Sequence, residues 1–237
     1  MARRTIDYGI DLGTTNSSIA LFENGNCTVF QNDYDDELTP SAVQIDEAGQ
    51  LVIGKKAYQH LIEDEENTVS QFKLWMGTHQ TKDFKRSKKV MSPEELSAEV
   101  LKDLKINVRR SQNEDVKYAV ITVPASFGAL KCDATQRAAH LAGIEGAPLL
   151  QEPIAASIAY GMFKSNQNGR WLVYDLGGGT FDVALVSIEG GLLSVIDHEG
   201  DNHLGGSNWD KILVDAFVIT FLKENFSINT FMSSHGI

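Results

Sequence analysis

The stretch WLVYDLGGGTFDVALVSI, from Trp171 to Ile188, decides the fold and indicates the chemistry of the chain. Its two apolar runs predict paired strands joined at a glycine-rich tip, and the turn EGG at 189–191 predicts a hairpin into a third strand. Glycines at such a tip let successive backbone N–H groups converge on one anion, as phosphate-binding loops do. Taken alone, the stretch is equally compatible with an ordinary glycine-rich hairpin.

The polar side chains at this tip fit a phosphate together with a metal ion. Thr180 adds a hydroxyl donor to the glycine backbone. Asp175 would repel a bare phosphate, because both groups are negatively charged. Its position is understandable if a divalent cation lies between the carboxylate and the phosphate, directly or through water.

A second copy of the pattern stands near the N-terminus, in YGIDLGTTNSSIALFENGNCTVF at 8–30. The order is again strand, Asp-Leu-Gly, hydroxyl-rich tip, strand, glycine turn and strand. Asp11 corresponds to Asp175, and Gly25 corresponds to Gly190 to within one residue. Internal repetition is a strong clue to architecture. Two such hairpins, facing each other, could hold a triphosphate and its metal from both sides.

The composition limits the function classes. The chain has 237 residues, 42% of them hydrophobic, which allows a sizeable core in one large domain or two smaller ones. Its formal net charge of -11 argues against nucleic acid as a partner. No apolar window reaches membrane-spanning or signal-peptide length, so we expect a cytoplasmic protein without a membrane partner. Cys27 and Cys132 are too few for a disulfide framework.

The rest of the chain alternates helix and strand patterns, as α/β proteins do. A capping box at Ser92 and Glu95 predicts a helix over 92–110, and the apolar run VKYAVITVP at 116–124 predicts a central strand. Further helices are predicted at 129–143, ended by Gly143, and at 152–163. A last helix is predicted over 207–226, where an apolar stripe is expected to belong to the core: Trp209, Ile212, Leu213, Ala216, Phe217 and Phe221.

Five motifs in order resemble the DnaK-type 70 kDa heat-shock chaperone family of the actin-like ATPase superfamily. They are GIDLGTTNS at 9–17, VITVPASF at 120–127, LLQEPIAASIAYG at 149–161, DLGGGTFDV at 175–183 and GDNHLGGSNWD at 200–210. The resemblance implies an α/β, actin-like (ribonuclease H-like) fold with duplicated lobes, each a mixed five-stranded sheet with flanking helices. Residues 1–170 would form the first lobe of the nucleotide-binding domain. Residues 171–237 would begin a second, incomplete lobe, with the boundary in KSNQNGR at 164–170.

The resemblance also implies roles for individual residues. Asp11 and Asp175 would lie near Mg²⁺ and hold it through water, and Gly205 and Gly206 would lie near the ribose and phosphates. The predicted catalytic residues are Lys73, Glu152, Asp182 and Thr180; for Asp182 a role as a surface carboxylate on a strand is equally open. The predicted phosphate-binding residues are Gly13, Thr14, Thr15, Asn16, Gly177, Gly178, Gly179 and Thr180.

The chain departs from the family pattern at two places. In the family, an arginine and a preceding proline together relay the nucleotide state. Pro124 is present here, but Cys132 stands where we expect the arginine. The span between Lys73 and Ser92 is short, which resembles the divergent HscC-like subgroup with a trimmed outer subdomain. The ending SINTFMSSHGI matches nothing in the pattern, so we expect a truncated or naturally short chain.

The functional expectation is an ATP-binding and ATP-hydrolysing domain of a DnaK-type chaperone, with ATP or ADP and Mg²⁺ as cofactors. In an intact parent, its partners would be unfolded peptides, a J-domain co-chaperone and a nucleotide-exchange factor. Two alternatives stay open. One is a small-molecule kinase of the same superfamily, and the other is a truncated actin-like scaffold with weak or no nucleotide binding.

Overall fold

The computed structural model describes residues 5–161, 168–201 and 203–226. The α-helices of this part are α1 (Lys55–Gln59), α2 (Pro93–Gln112), α3 (Ala129–Leu141), α4 (Glu152–Ala159), α5 (Gly206–Leu213) and α6 (Thr220–Asn225). The strands are β1 (Tyr8–Leu12), β2 (Asn16–Glu23), β3 (Asn26–Val29), β4 (Thr39–Pro40), β5 (Ala42–Ile45), β6 (Leu51–Ile53), β7 (Thr68–Ser70), β8 (Lys82–Phe84), β9 (Lys89–Met91), β10 (Ala119–Val123), β11 (Leu149–Gln151), β12 (Gly169–Leu176), β13 (Phe181–Glu189) and β14 (Leu192–Asp201).

The central sheet is mixed, with the strand order β11-β10-β1-β2-β3, and β4 pairs with β2 at one end. β1, β10 and β11 run parallel, whereas β1–β2 and β2–β3 are antiparallel. The predicted central strand is confirmed as β10, whose Ala119, Ile121 and Val123 are buried. The five-stranded path places the ends of β1, β10 and β11 side by side, which brings Asp11, Thr122 and Glu152 into one region.

The two predicted hairpin repeats have the same register. β1, β2 and β3 form an antiparallel meander in which Asp11 pairs with Ser18. β12, β13 and β14 form a second, separate meander in which Asp175 pairs with Asp182. Each aspartate therefore occupies the same position relative to its tip. In both meanders the residue paired with the aspartate lies the same number of residues further along the chain.

The first half of the chain has a continuous apolar core. The capping box is confirmed, because the Ser92 side chain accepts from the Glu95 N–H and Glu95 accepts from the Ser92 N–H. α2 buries Leu96, Val100, Leu101, Leu104 and Val108 and packs against α3. β5, β6 and β7 form a small antiparallel sheet beside this core, and β8 and β9 form a hairpin.

The last predicted helix is present, with a π-helical stretch at Val214–Ile219 between α5 and α6. Its apolar stripe is not part of the core, so that prediction was wrong. Trp209 is 54% exposed and Phe217 is 67% exposed, because the strands and helices of the described chain leave this face uncovered.

The predicted lobe boundary at 164–170 lies largely outside the described residues, and β12 begins at Gly169. The helix at 152–163 ends earlier than predicted, at Ala159, and Tyr160 and Gly161 follow it in a turn. Among the described helices, none is long and apolar enough to cross a membrane.

Candidate functional site

The structure brings the two Asp-Leu-Gly tips together. A Cβ atom added at Gly178 would lie 2.0 Å from Thr15 Oγ1, and one at Gly179 would lie 3.2 Å from Thr14 Cγ2. Residues far apart in the sequence thus lie in direct contact, with the Gly178 backbone packed on the Thr15 side chain. Any side chain at position 178 would collide with Thr15, so only glycine allows this contact.

The Gly205–Gly206 turn packs directly on the second tip. The Gly206 N–H donates to Gly177 O at 3.0 Å. Both the N–H and the hydroxyl of Ser207 donate to Gly178 O, at 2.9 and 2.7 Å. A Cβ at Gly205 would lie 2.4 Å from Gly179 N, so only glycine allows this backbone contact. Ser207 was missed in the sequence analysis, where it was only a helix-start residue.

A pair of buried serines fixes the first tip from behind. The Gly13 N–H donates to Ser17 Oγ at 3.1 Å, and Ser41 Oγ donates to Gly13 O at 2.8 Å. The two hydroxyl oxygens lie 2.9 Å apart. A Cβ at Gly13 would meet Asn16 O at 2.0 Å. Ser41 could not be predicted from the sequence, because it lies between β4 and β5 and no local pattern links that region to the first tip.

One polar atom in the cleft has no partner within the described chain. Thr15 Oγ1 is buried and makes no hydrogen bond. A buried hydroxyl without a partner costs free energy, so such atoms in native proteins call for an explanation. Because Thr15 lies against Gly178 where the two tips meet, a small rotation of its side chain or separation of the tips would expose this hydroxyl to an oxygen-rich ligand.

Below the tips lies an acidic cluster with one lysine. Lys73, in the 3₁₀ turn Phe72–Trp75, donates to Glu152 Oε1 at 2.8 Å. Lys73 is only 6% exposed. Glu152 is the first residue of α4, directly after β11. Asp11 accepts from Thr122 Oγ1 at 2.9 Å. Asp182 is buried, which speaks against its alternative role as a surface carboxylate.

Two carboxyl groups of this cluster, those of Asp175 and Glu152, have pKa values above the ordinary ones and therefore hold a proton more readily. Loss of hydration raises the pKa of Asp175, and the charges of Asp11 and Asp182 raise it further. Burial also raises the pKa of Glu152, although the adjacent Lys73 opposes this effect. The site therefore has more negative charge than one lysine can balance, which suits a bound cation.

No group of three or more His, Cys, Asp or Glu side chains in the described ranges is arranged to hold a metal directly. Asp11 and Asp175 influence each other electrostatically, but they come from opposite tips. This donor set fits a hydrated Mg²⁺, because that ion usually keeps several waters and takes only one or two protein carboxylates.

Replacing Asp175 with Asn should stabilise the fold in the absence of ligand. A carboxyl whose pKa is raised on folding binds more protons in the folded state, so stability falls as pH rises above the ordinary value of 3.8. Asp175→Asn removes this penalty at neutral pH. Its thermal midpoint, measured without nucleotide or Mg²⁺, should be higher than that of the wild type and should fall less with pH.

The control for this prediction is Asp133→Asn, which removes an exposed carboxylate of α3 outside the cleft. It should leave the pH dependence unchanged. A lower midpoint for Asp175→Asn at pH 7, or a pH dependence equal to that of the wild type, would contradict the account of the raised pKa.

Three further residues named in the sequence analysis, Thr180, Asn16 and Cys132, have the following positions and contacts. Thr180 closes the second tip, since its carbonyl accepts from the Gly177 N–H at 2.9 Å. Asn16 is exposed at the start of β2 and pairs with Pro40. Cys132 lies in α3, and its thiol is 3.5 Å from Phe127 O.

Comparisons with known proteins identify the family of the chain. The family model described as Hsp70 protein matches residues 7–91 and 80–231. The chain is 42% identical over 235 residues to a chaperone protein DnaK of Metamycoplasma hominis, covering 97% of this chain and 38% of that protein. It is 40% identical over 220 residues to a chaperone protein DnaK of Thermotoga neapolitana, covering 92% of this chain and 36% of that protein.

The chain thus spans little more than a third of the length of these relatives. The match covers the central mixed sheet, both tips and the Gly205–Gly206 turn. The mixed α/β architecture is consistent with the actin-like ATPase fold of that family. The chain belongs to the Hsp70 protein family.

Proposed function

We propose that the chain forms the ATP-binding and ATP-hydrolysing part of an Hsp70-type chaperone. The observation that carries the proposal is the meeting of the two tips above the acidic cluster, with Lys73 paired to Glu152 at 2.8 Å. The relatives printed as chaperone protein DnaK support the same assignment.

The tips would hold the polyphosphate of the nucleotide between them. Gly13, Thr14, Thr15 and Asn16 would bind it from one side, and the segment 177–180 would bind it from the other. Backbone N–H groups and the hydroxyls of Thr15 and Thr180 are suitable donors, and the buried, unpartnered Thr15 Oγ1 lies where the two tips meet. Gly205 and Gly206 would extend this surface toward the ribose.

Asp11 and Asp175 would hold Mg²⁺ through its water molecules. When bound, that ion supplies positive charge to the phosphate oxygens as the leaving group departs. The chain's own carboxylates would then have a charge partner, which would offset the repulsion of Asp175 by Asp11 and Asp182.

Lys73, Glu152, Asp182 and Thr180 would position the reacting groups. Lys73 Nζ donates to Glu152 and is almost completely buried, so its other two N–H donors would hold a water molecule or a phosphate oxygen in place. Asp182, paired with Asp175 across β12 and β13, would accept a hydrogen bond from that water. Transfer of a phosphoryl group to water needs mostly positioning and charge neutralisation of this kind.

At the level of the whole protein, residues 1–170 would form one lobe, and the segment from 171 onward would begin a second lobe of duplicated design. The matching registers of the two meanders support this duplication. Nucleotide between the tips would draw the lobes together. In a longer parent this closure would control peptide binding, with a J-domain co-chaperone and a nucleotide-exchange factor acting in the cytoplasm.

Titration calorimetry with Mg-ATP, followed by single-turnover hydrolysis, tests the proposal. Binding with slow hydrolysis that needs no second substrate supports it. Turnover that appears only when a sugar or acetate is added would favour a small-molecule kinase instead. No binding at millimolar nucleotide would contradict the proposal and favour a scaffold.

A further inference from the structure

Phe127 lies beside Lys73, the lysine that pairs with Glu152. Phe127 has no role in the proposed function described above. The ammonium of Lys73 lies over its ring, 5.6 Å from the centroid, and the ammonium of Lys131 lies over the same ring at 4.9 Å. Both distances are within the range of a cation–π interaction. Phe127 therefore contacts the lysine that pairs with Glu152 and, at the same time, a lysine of α3.

The first turn of α3 fixes Phe127 in a second way. The Cys132 thiol is 3.5 Å from Phe127 O, within reach of a sulfur hydrogen bond, and the Phe127 N–H donates to Pro124 O at 3.1 Å. The backbone of Phe127 is thus held at both its N–H and its carbonyl. Cys132, which stands where the sequence analysis expected an arginine, makes one of these contacts.

The segment that carries Lys73 also touches α3 directly. Gly77, with a φ of 72°, follows the 3₁₀ turn, and a Cβ there would lie 3.0 Å from Leu130 C and 3.1 Å from Lys131 N. Lys73 is therefore attached to α3 through its side chain, by way of the Phe127 ring, and through its backbone near Gly77.

We propose that Phe127 is a positioning residue for Lys73, and that the first turn of α3 holds Phe127 in place through Lys131 and Cys132. The ring limits how far the Lys73 ammonium can move away from Glu152 and the phosphate cleft. This inference rests on the proposed function, because it concerns the efficiency of ATP hydrolysis.

The test compares Phe127→Leu, which removes the π face but keeps an apolar side chain, with Phe127→Tyr, which keeps the π face. Phe127→Leu should lower kcat for Mg-ATP hydrolysis roughly fivefold with little change in KM. Phe127→Tyr should stay close to the wild type. Phe22→Leu, on the exposed face of β2, is the matched control and should change neither constant.

A second comparison separates positioning from general stability. In a Lys73→Met background, Phe127→Leu should lower the remaining single-turnover rate no further, because the lysine through which it acts is gone. An unchanged kcat in Phe127→Leu, an equal loss in Phe127→Tyr, or the same loss in the Lys73→Met background would overturn the proposal. A wild-type chain without any hydrolysis would instead overturn the proposed function, and the positioning role with it.

Discussion

Gly205→Ala should weaken the binding of Mg-ATP by about 10- to 100-fold, because the added methyl group displaces the second tip at a cost of about 1–3 kcal/mol. The new Cβ would lie 2.4 Å from Gly179 N and 2.5 Å from Gly178 C, which are backbone atoms and cannot rotate away. The turn must therefore move as a whole, and the three hydrogen bonds from Gly206 and Ser207 to the tip would lengthen or break. Titration calorimetry measures the loss of affinity.

The control for Gly205→Ala is Gly9→Ala, at a strand position where a Cβ meets nothing within 4 Å. That variant should bind Mg-ATP as the wild type does. Thermal denaturation of both variants shows whether the fold survives, since forcing a methyl group into a packed site typically costs about 1–3 kcal/mol. A folded Gly205→Ala protein with unchanged affinity would mean that the turn does not support the nucleotide site.

Lys73→Met should lower the rate of ATP hydrolysis by about 10²–10³-fold, the typical cost of removing one preorganised donor from a transition state. Met keeps most of the length and apolar contacts of the lysine but cannot donate. Nucleotide affinity should change much less, because the tips themselves are untouched. Single-turnover hydrolysis at saturating Mg-ATP, measured beside calorimetric binding, separates the two effects.

Lys56→Met, an exposed lysine of α1, is the matched control and should retain full activity. The variant Lys73→Met also leaves Glu152, which is largely shielded from solvent, without its counter-charge, and this loss should raise the pKa of that carboxyl further. Loss of one partner of a buried pair costs roughly 3 kcal/mol, so the double variant Lys73→Met/Glu152→Gln should be more stable than Lys73→Met alone. Hydrolysis at the wild-type rate in Lys73→Met would remove this residue from the mechanism.

The sequence was sufficient to predict the features that depend on local pattern. The hairpins, the capped helix α2 and the central strand β10 all follow from apolar periodicity and turn residues close together in the chain. The repeat around Asp11 and Asp175 predicted two similar hairpins, and the structure gives them the same register. That the two tips lie against each other could be inferred from the repeat only as a hypothesis.

The features that escaped prediction depend on contacts between distant segments. The hydrogen bonds of Ser41 with the first tip and of Ser207 with the second join parts of the chain whose patterns are unrelated. The placement of Phe127 between two lysines is of the same kind. The apolar stripe from Trp209 to Phe221 shows the opposite error, because periodicity identifies an apolar face but not whether anything covers it.

Both tips should bind the same nucleotide, and a titration with Mg-ATP that is monitored by backbone amide NMR tests this most directly. With the chain ¹⁵N-labelled and Mg-ATP added stepwise, the amides of residues 13–15 and those of residues 177–179 should change together and saturate at one nucleotide per chain. Changes confined to one tip, or two sets of changes that saturate at different nucleotide concentrations, would contradict a shared site.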